Sequence, residues 1–160
     1  MAFKFITPRL GAQAIAETSP TQKHFIGEIQ QAVDDTYGAG EFIYLKGLAA
    51  TAIGNLVIYD QFANTTVRTV AGSRGPAAVA MWANVANQFG WYQIAGAAVV
   101  TSGTVAAAGA VYLTATAGLI DDAVVSTDKV DGARIKTADG TPSAGFAVVQ
   151  INRPAANGNG

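Results

Sequence analysis

Between Arg74 and Asp121 the chain runs through 46 consecutive residues without an aspartate, glutamate, lysine or arginine. A solvated strand or loop normally carries charge on its outer side, so a run of this length has to be covered. Two covers are compatible with it. Strands buried in the domain's own core would need no charge, and neighbouring subunits could shield the surface, because charge depletion marks the centres of protein interfaces. The run is not a membrane span, since Gly75, Pro76, Asn84, Asn87, Gln88, Gly90 and Gln93 interrupt it before about 18 apolar residues accumulate.

Within and around this run the apolar residues recur with period two in short segments. Residues 41–46, 56–59, 67–70, 77–82, 91–94, 97–100, 110–114, 133–136 and 145–151 are rich in aliphatic, aromatic or β-branched side chains, with turn signals at 71–75, 116–118 and 138–142. The spacing predicts an all-β fold, a small β-barrel or β-sandwich, as one domain over residues 21–153. Residues 19–33 are ambiguous. Ser19, Pro20 and Gln22 resemble a helix start and Phe25, Ile29 and Val33 recur every fourth residue, but Gly27 would cost a helix about 1 kcal/mol. Four is also twice the strand period, and a strand is the expectation. Residues 1–20, broken by Pro8, Gly11 and Pro20, read as an extended N-terminal arm, and residues 154–160 as a flexible tail.

A faint internal repeat runs through the strands. Leu45-Lys46-Gly47-Leu48, the segment from Gly54 to Tyr59 and the segment from Gly75 to Ala80 find counterparts, in the same order, at residues 94–97, 109–114 and 132–135. The abundance of small residues blurs it, since Ala and the 18 Gly together fill 50 of the 160 positions.

The chemistry-bearing residues are few. With no cysteine and a single histidine, His24, thiol chemistry and a multi-histidine metal site within one chain are excluded. Asp121, Asp122, Asp128 and Asp131 do not follow the spacing of a calcium loop, and Asp34-Asp35 reads as turn chemistry. Gly72-Ser73-Arg74-Gly75 lacks the frames of a phosphate loop and of a nucleophile elbow. No enzyme, no metal and no cofactor is therefore expected. Ten basic residues against 11 acidic give a net charge of −1, which supplies no general pull toward nucleic acid or an anionic membrane. The first residues, 1–9, lack the apolar run of a signal peptide, so synthesis in a cytoplasm is expected.

Residues 35–47 (DTYGAGEFIYLKG), 88–96 (QFGWYQIAG), 112–122 (YLTATAGLIDD), 139–146 (DGTPSAGF) and 152–154 (NRP) resemble small structural proteins of tailed bacteriophages, and the alternation of Gly-x-Val strands with Gly-Pro-x-x-Val-Ala resembles their capsid decoration, or cement, proteins. That resemblance spans about residues 20–154. It implies a β-barrel-like protein on the outer surface of the virion head, made in the host cytoplasm, that stabilises the lattice of the major capsid protein and whose arm reaches a neighbour. Self-association is expected as well, with a trimer favoured. Trp82, Phe89, Trp91 and Tyr92 are candidate contact anchors, because aromatic side chains bury much area at small entropic cost. In the arm, Phe3, Phe5, Pro8, Arg9 and Leu10 are the candidates. A tail or baseplate protein, or a carbohydrate-binding module using Trp91-Tyr92-Gln93, are the alternatives.

Overall fold

The computed structural model of the chain describes residues 2–6, 12–48, 51–60, 62–63, 65–83 and 85–157; Pro8, Arg9 and Leu10 lie outside the described residues. Among these residues there is no helix, and the strands are β1 (Lys4–Phe5), β2 (Thr18–Ser19), β3 (Ile29–Asp34), β4 (Gly38–Gly47), β5 (Leu56–Asp60) and β6 (Thr65–Arg68), followed by β7 (Arg74–Ala80), β8 (Phe89–Thr101), β9 (Ala110–Leu113), β10 (Ile120–Asp121), β11 (Lys129–Ile135) and β12 (Phe146–Asn157). The all-β, barrel-like expectation holds. Of residues 19–33, Ser19 closes the short β2 and the end from Ile29 onward is strand, with Gly27 at a positive φ of 83° turning the chain just before β3.

Two rings of strands are fused through β8. In the first, β4 runs parallel to β6, β6 pairs with β5, β5 with β7, β7 with β8, and β8 returns to β4, the last four pairings antiparallel. In the second, β8 meets β10 through a parallel bridge from Ser102 to Ile120, β10 pairs with β9, β9 with β11, β11 with β12, and β12 returns to β8. The connectivity is the same, shifted by four strands.

Individual bonds repeat with it. The Gly54 N–H donates to Ala80 O (2.8 Å) and Ala80 N–H to Asn55 O (2.9 Å), while Ala108 N–H donates to Ile135 O (2.9 Å) and Ile135 N–H to Gly109 O (3.0 Å). Phe89 stands opposite Lys46 and Phe146 opposite Thr101, so the segment Phe89-Gly90-Trp91-Tyr92-Gln93-Ile94 is the counterpart of Phe146-Ala147-Val148-Val149-Gln150-Ile151. The positive-φ bend at Gly96 (101°) has its counterpart at Arg153 (46°), two residues past each Gln-Ile pair. The weak sequence repeat therefore couples the right strands but not their register, being offset by six residues between β4 and β8, by one between β5 and β9 and by two between β7 and β11.

Alternation explains why the middle of the chain needs no charge. On β4, Phe42 and Tyr44 face the N-terminal core, while Ile43 and Leu45 face the interior of the first ring. On β7, Ala78 and Ala80 look into the first ring and Ala77 and Val79 into the second. Strands buried on both faces read as continuous apolar runs, and each fully buried large side chain contributes roughly 1.5–3 kcal/mol.

Both ends of the chain differ from expectation. β1 pairs with β3, and Phe3 and Phe5 pack on the N-terminal core, with Phe3 4.8 Å from Phe42 and Phe5 5.5 Å from Trp91 between ring centroids. Residues 12–19 then cross the same core, where Ile15 is buried. At the other end, Pro154 to Asn157 belong to β12 and pair with β7 and β11. Residues 154–157 are therefore strand and not tail, and Pro154 is accommodated opposite the register shift between Asp131 and Ala133.

Candidate interaction surface

The structure separates the four aromatic anchors. Trp91 and Tyr92 are buried in two different cores, Trp91 against Phe42 and Tyr44 and Tyr92 against Ile43 and Leu45, so neither is free to meet a partner. Gln93 is buried with them, its Nε2 donating to Ala95 O and Ala97 O (both 3.1 Å), which removes Trp91-Tyr92-Gln93 as an accessible sugar platform. Phe89 is half-buried, stacked on Tyr44 with Lys46 Nζ over its ring. Phe3 and Phe5 lie on their own domain, as described.

Trp82 is the exception, 45% exposed. It sits in the loop that follows β7, at one end of the first ring, and its loop is held beside the loop that follows β4. Gly47 N–H donates to Gln88 O (2.9 Å), Asn87 N–H to Gly47 O (2.6 Å) and Leu48 N–H to Thr66 O (3.4 Å); on the far side, the Gly54–Ala80 bond closes the pair. Asn87 adopts a φ of 69°, an orientation that asparagine tolerates better than most residues, and so sends the loop back into β8. The result groups Leu48, Ile53, Trp82 and Val85 as exposed apolar side chains on two adjacent loops. This is where the charge-free run reaches solvent with large side chains.

The same end of the second ring serves as an internal comparison. There the loop after β11 carries Lys136, Thr137, Asp139 and Thr141. Asp139 clamps the opposing loop, its N–H donating to Val105 O and its Oδ1 accepting from Val105 N–H (both 3.1 Å), and Val105 is buried. One ring closes its end with polar chemistry while the other leaves an uncharged apolar patch. A second apolar feature, a groove of about 500 Å³ between Ile58, Phe62, Val67 and Pro76, lies on the β5–β6 hairpin, whose tip residue Phe62 is 97% exposed.

The acidic residues are spent on backbone. Asp121 Oδ1 accepts from Asp122 and Ala123 N–H, Asp122 Oδ2 from Ala106 N–H, and Asp128 Oδ1 from Gly72 N–H (2.7 Å), while Asp131 pairs with Lys129 and Asn157. Among the described residues no three His, Asp or Glu side chains converge as a metal site. His24 Nε2 accepts the Gln13 N–H (3.1 Å) and Nδ1 lies 3.5 Å from Glu28, with the ring between Tyr44 and Trp91. Its role is to tie the N-terminal segment down. Asp34 is buried beneath β1, and although burial pushes its carboxyl up, N–H bonds from Ala2 (2.6 Å), Thr36 (2.8 Å) and Tyr37 (3.0 Å) hold it below its ordinary value.

The exposed patch was only partly visible in the sequence. The sequence points to Trp82 but not to Leu48, Ile53 or Val85, whose signal is the pairing of two turn regions that only the ring connectivity brings together. No protein-family model matches the chain, and a search of curated proteins returns no match.

Proposed function

We propose that this chain is a non-enzymatic decoration protein of a tailed bacteriophage, binding the outer surface of the head and stabilising the lattice of the major capsid protein. The observation that carries this reading is the uncharged apolar end of the first ring, Leu48, Ile53, Trp82 and Val85, presented by a rigid double ring. Such a patch suits a flat protein partner better than a small ligand, which calls for an enclosed pocket with converging polar groups. Many copies that bind the assembled lattice and not its dissociated subunits shift assembly by mass action. The sequence resemblance to phage structural proteins points the same way.

Co-sedimentation with purified mature capsids tests it. The wild-type chain is expected to pellet with capsids in a saturable, stoichiometric ratio and to raise their dissociation temperature, and Trp82→Ala combined with Val85→Ser to weaken binding at least about tenfold. Absence of binding, or formation of rings or tubes by the chain alone, would reject this function and favour a tail component.

A further inference from the structure

The single histidine of the chain is enclosed, with 8% of the His24 side chain exposed, and its two ring nitrogens do different work. Nε2 accepts the backbone N–H of Gln13 at 3.1 Å and so carries no proton, while Nδ1 holds the proton and faces Glu28 Oε2 at 3.5 Å. Gln13 is where the strap formed by residues 12–19 is fastened. Its carbonyl oxygen takes the Trp91 indole N–H (2.9 Å), and its side chain bonds Phe89 O and the Tyr44 hydroxyl. A second proton on the imidazole would set an N–H on Nε2 directly against the Gln13 N–H, donor to donor.

We propose that His24 is a proton-operated latch: the neutral imidazole holds residues 12–19 on the N-terminal core, and its protonation releases them. The direction follows from which contacts belong to which state. Glu28 lies four residues after His24, so its attraction for an imidazolium is local and persists whether the strap is closed or open. The Gln13 N–H opposes the second proton only when the strap is closed. The open state therefore takes the proton more readily, and opening grows as pH falls. From β4 the ring meets Tyr44, whose hydroxyl burial raises above 10.0, and from β8 it meets the indole of Trp91, which does not titrate. The other charged residues of these elements are Glu17, Lys23, Glu41 and Lys46, and among the described residues none forms an ion pair or hydrogen bond with the imidazole. Asp34, beneath β1, is held below 3.8, outside the mildly acidic range in which imidazoles change charge. Opening lifts Ile15 from the aromatic face formed by Tyr44, Phe89 and Trp91, so proton concentration sets whether that face is covered.

Hydrogen exchange of the full chain tests the latch, read by mass spectrometry at about pH 8 and about pH 5 and corrected for the intrinsic pH dependence of exchange. Protection of residues 12–19 is expected to fall at least about tenfold at the lower pH, while that of β12 holds. His24→Gln keeps an acceptor that no proton takes in this range, and its strap is expected to be equally protected at both values. Glu28→Gln leaves the imidazole in place but removes the neighbouring anion, so release is expected at lower pH than in the wild type. Three results would overturn the latch: equal wild-type protection at the two values, an equal fall in His24→Gln, or release that Glu28→Gln leaves in place or moves to higher pH.

Discussion

The indole N–H of Trp91 donates to the carbonyl oxygen of Gln13 at 2.9 Å, tying the start of β8 to a segment 78 positions earlier in the chain. The Gln13 side chain completes the tie. Its Nε2 donates to Phe89 O (2.9 Å) and Glu17 O (2.7 Å), and its Oε1 accepts from the Tyr44 hydroxyl (2.7 Å). Burial raises the Tyr44 pKa above 10.0, which keeps that hydroxyl a donor. Residues 12–19 are therefore a strap across the N-terminal core, and an arm dispensable to the fold is not what the contacts describe.

Gln13→Ala strips the side-chain bonds and leaves the buried Tyr44 hydroxyl without its acceptor, a loss of about 2–3 kcal/mol. For a domain of this size that lowers Tm by about 5–10 °C. In a Trp82→Phe background the emission of Trp91 should also shift to the red. A melting point within a degree of wild type would show that the strap carries no stability.

Asp34 gives the fold an acid-sensitive joint. Its folded pKa lies below the ordinary 3.8, so the ionised form is favoured by folding; the contribution is complete above the unfolded value and is lost as pH falls through the folded one. Asp34→Ala should then cost about 2 kcal/mol at pH 7, the scale of charge-assisted bonds, and much less at the acid end of the titration. Thermal melts of both proteins at neutral pH and below pH 3 read the difference. Equal gaps at the two pH values would contradict it.

Much of this architecture was legible in the sequence, and the omissions have identifiable causes. Alternation on β4 and β7 is visible as period two, and the turns at residues 71–75 and 116–118 are marked by glycine. Ring closure is not visible, because the parallel steps from β4 to β6 and from β8 to β10 join segments whose pairing no local pattern encodes. Trp91 and Trp82 look alike in sequence, both inside the charge-free run and each beside one small residue, Gly90 or Ala83. Their opposite fates follow from Trp91 lying in the strand that three cores share and Trp82 lying two residues past the end of β7. The ends are not legible because residues 1–20, broken by Pro8, Gly11 and Pro20, and residues 154–160 show no period of their own, while Phe3, Phe5 and the Asn157 end of β12 are fixed by sheet edges distant in sequence.

Gly96 is the hinge at which β8 passes from one ring to the next. With φ at 101°, a Cβ there would stand 2.5 Å from Ala39 O and 3.0 Å from the Gly40 Cα, both backbone atoms that cannot rotate away. Gly96→Ala should destabilise by at least about 2 kcal/mol through combined strain and clash. Gly72→Ala is the control, positive in φ but with open space around it, and should cost about 1 kcal/mol. Denaturant midpoints that rank the two in the opposite order would refute a crowded junction at Gly96.

The two tryptophans separate stability from binding. Trp91 is fully surrounded, so Trp91→Ala should cost about 3–5 kcal/mol and lower Tm by about 10 °C or more. Trp82 rests on an exposed loop, and Trp82→Ala should change stability by no more than about 0.5 kcal/mol, as surface substitutions do. Its effect belongs to the partner, for a half-exposed indole amid Leu48, Ile53 and Val85 is the kind of side chain whose burial dominates an interface. Calorimetry on both variants, with capsid co-sedimentation beside it, reads the two quantities separately. If Trp82→Ala lost stability on the scale of Trp91→Ala while binding stayed at the wild-type level, the end of the first ring would be a core and not a contact surface.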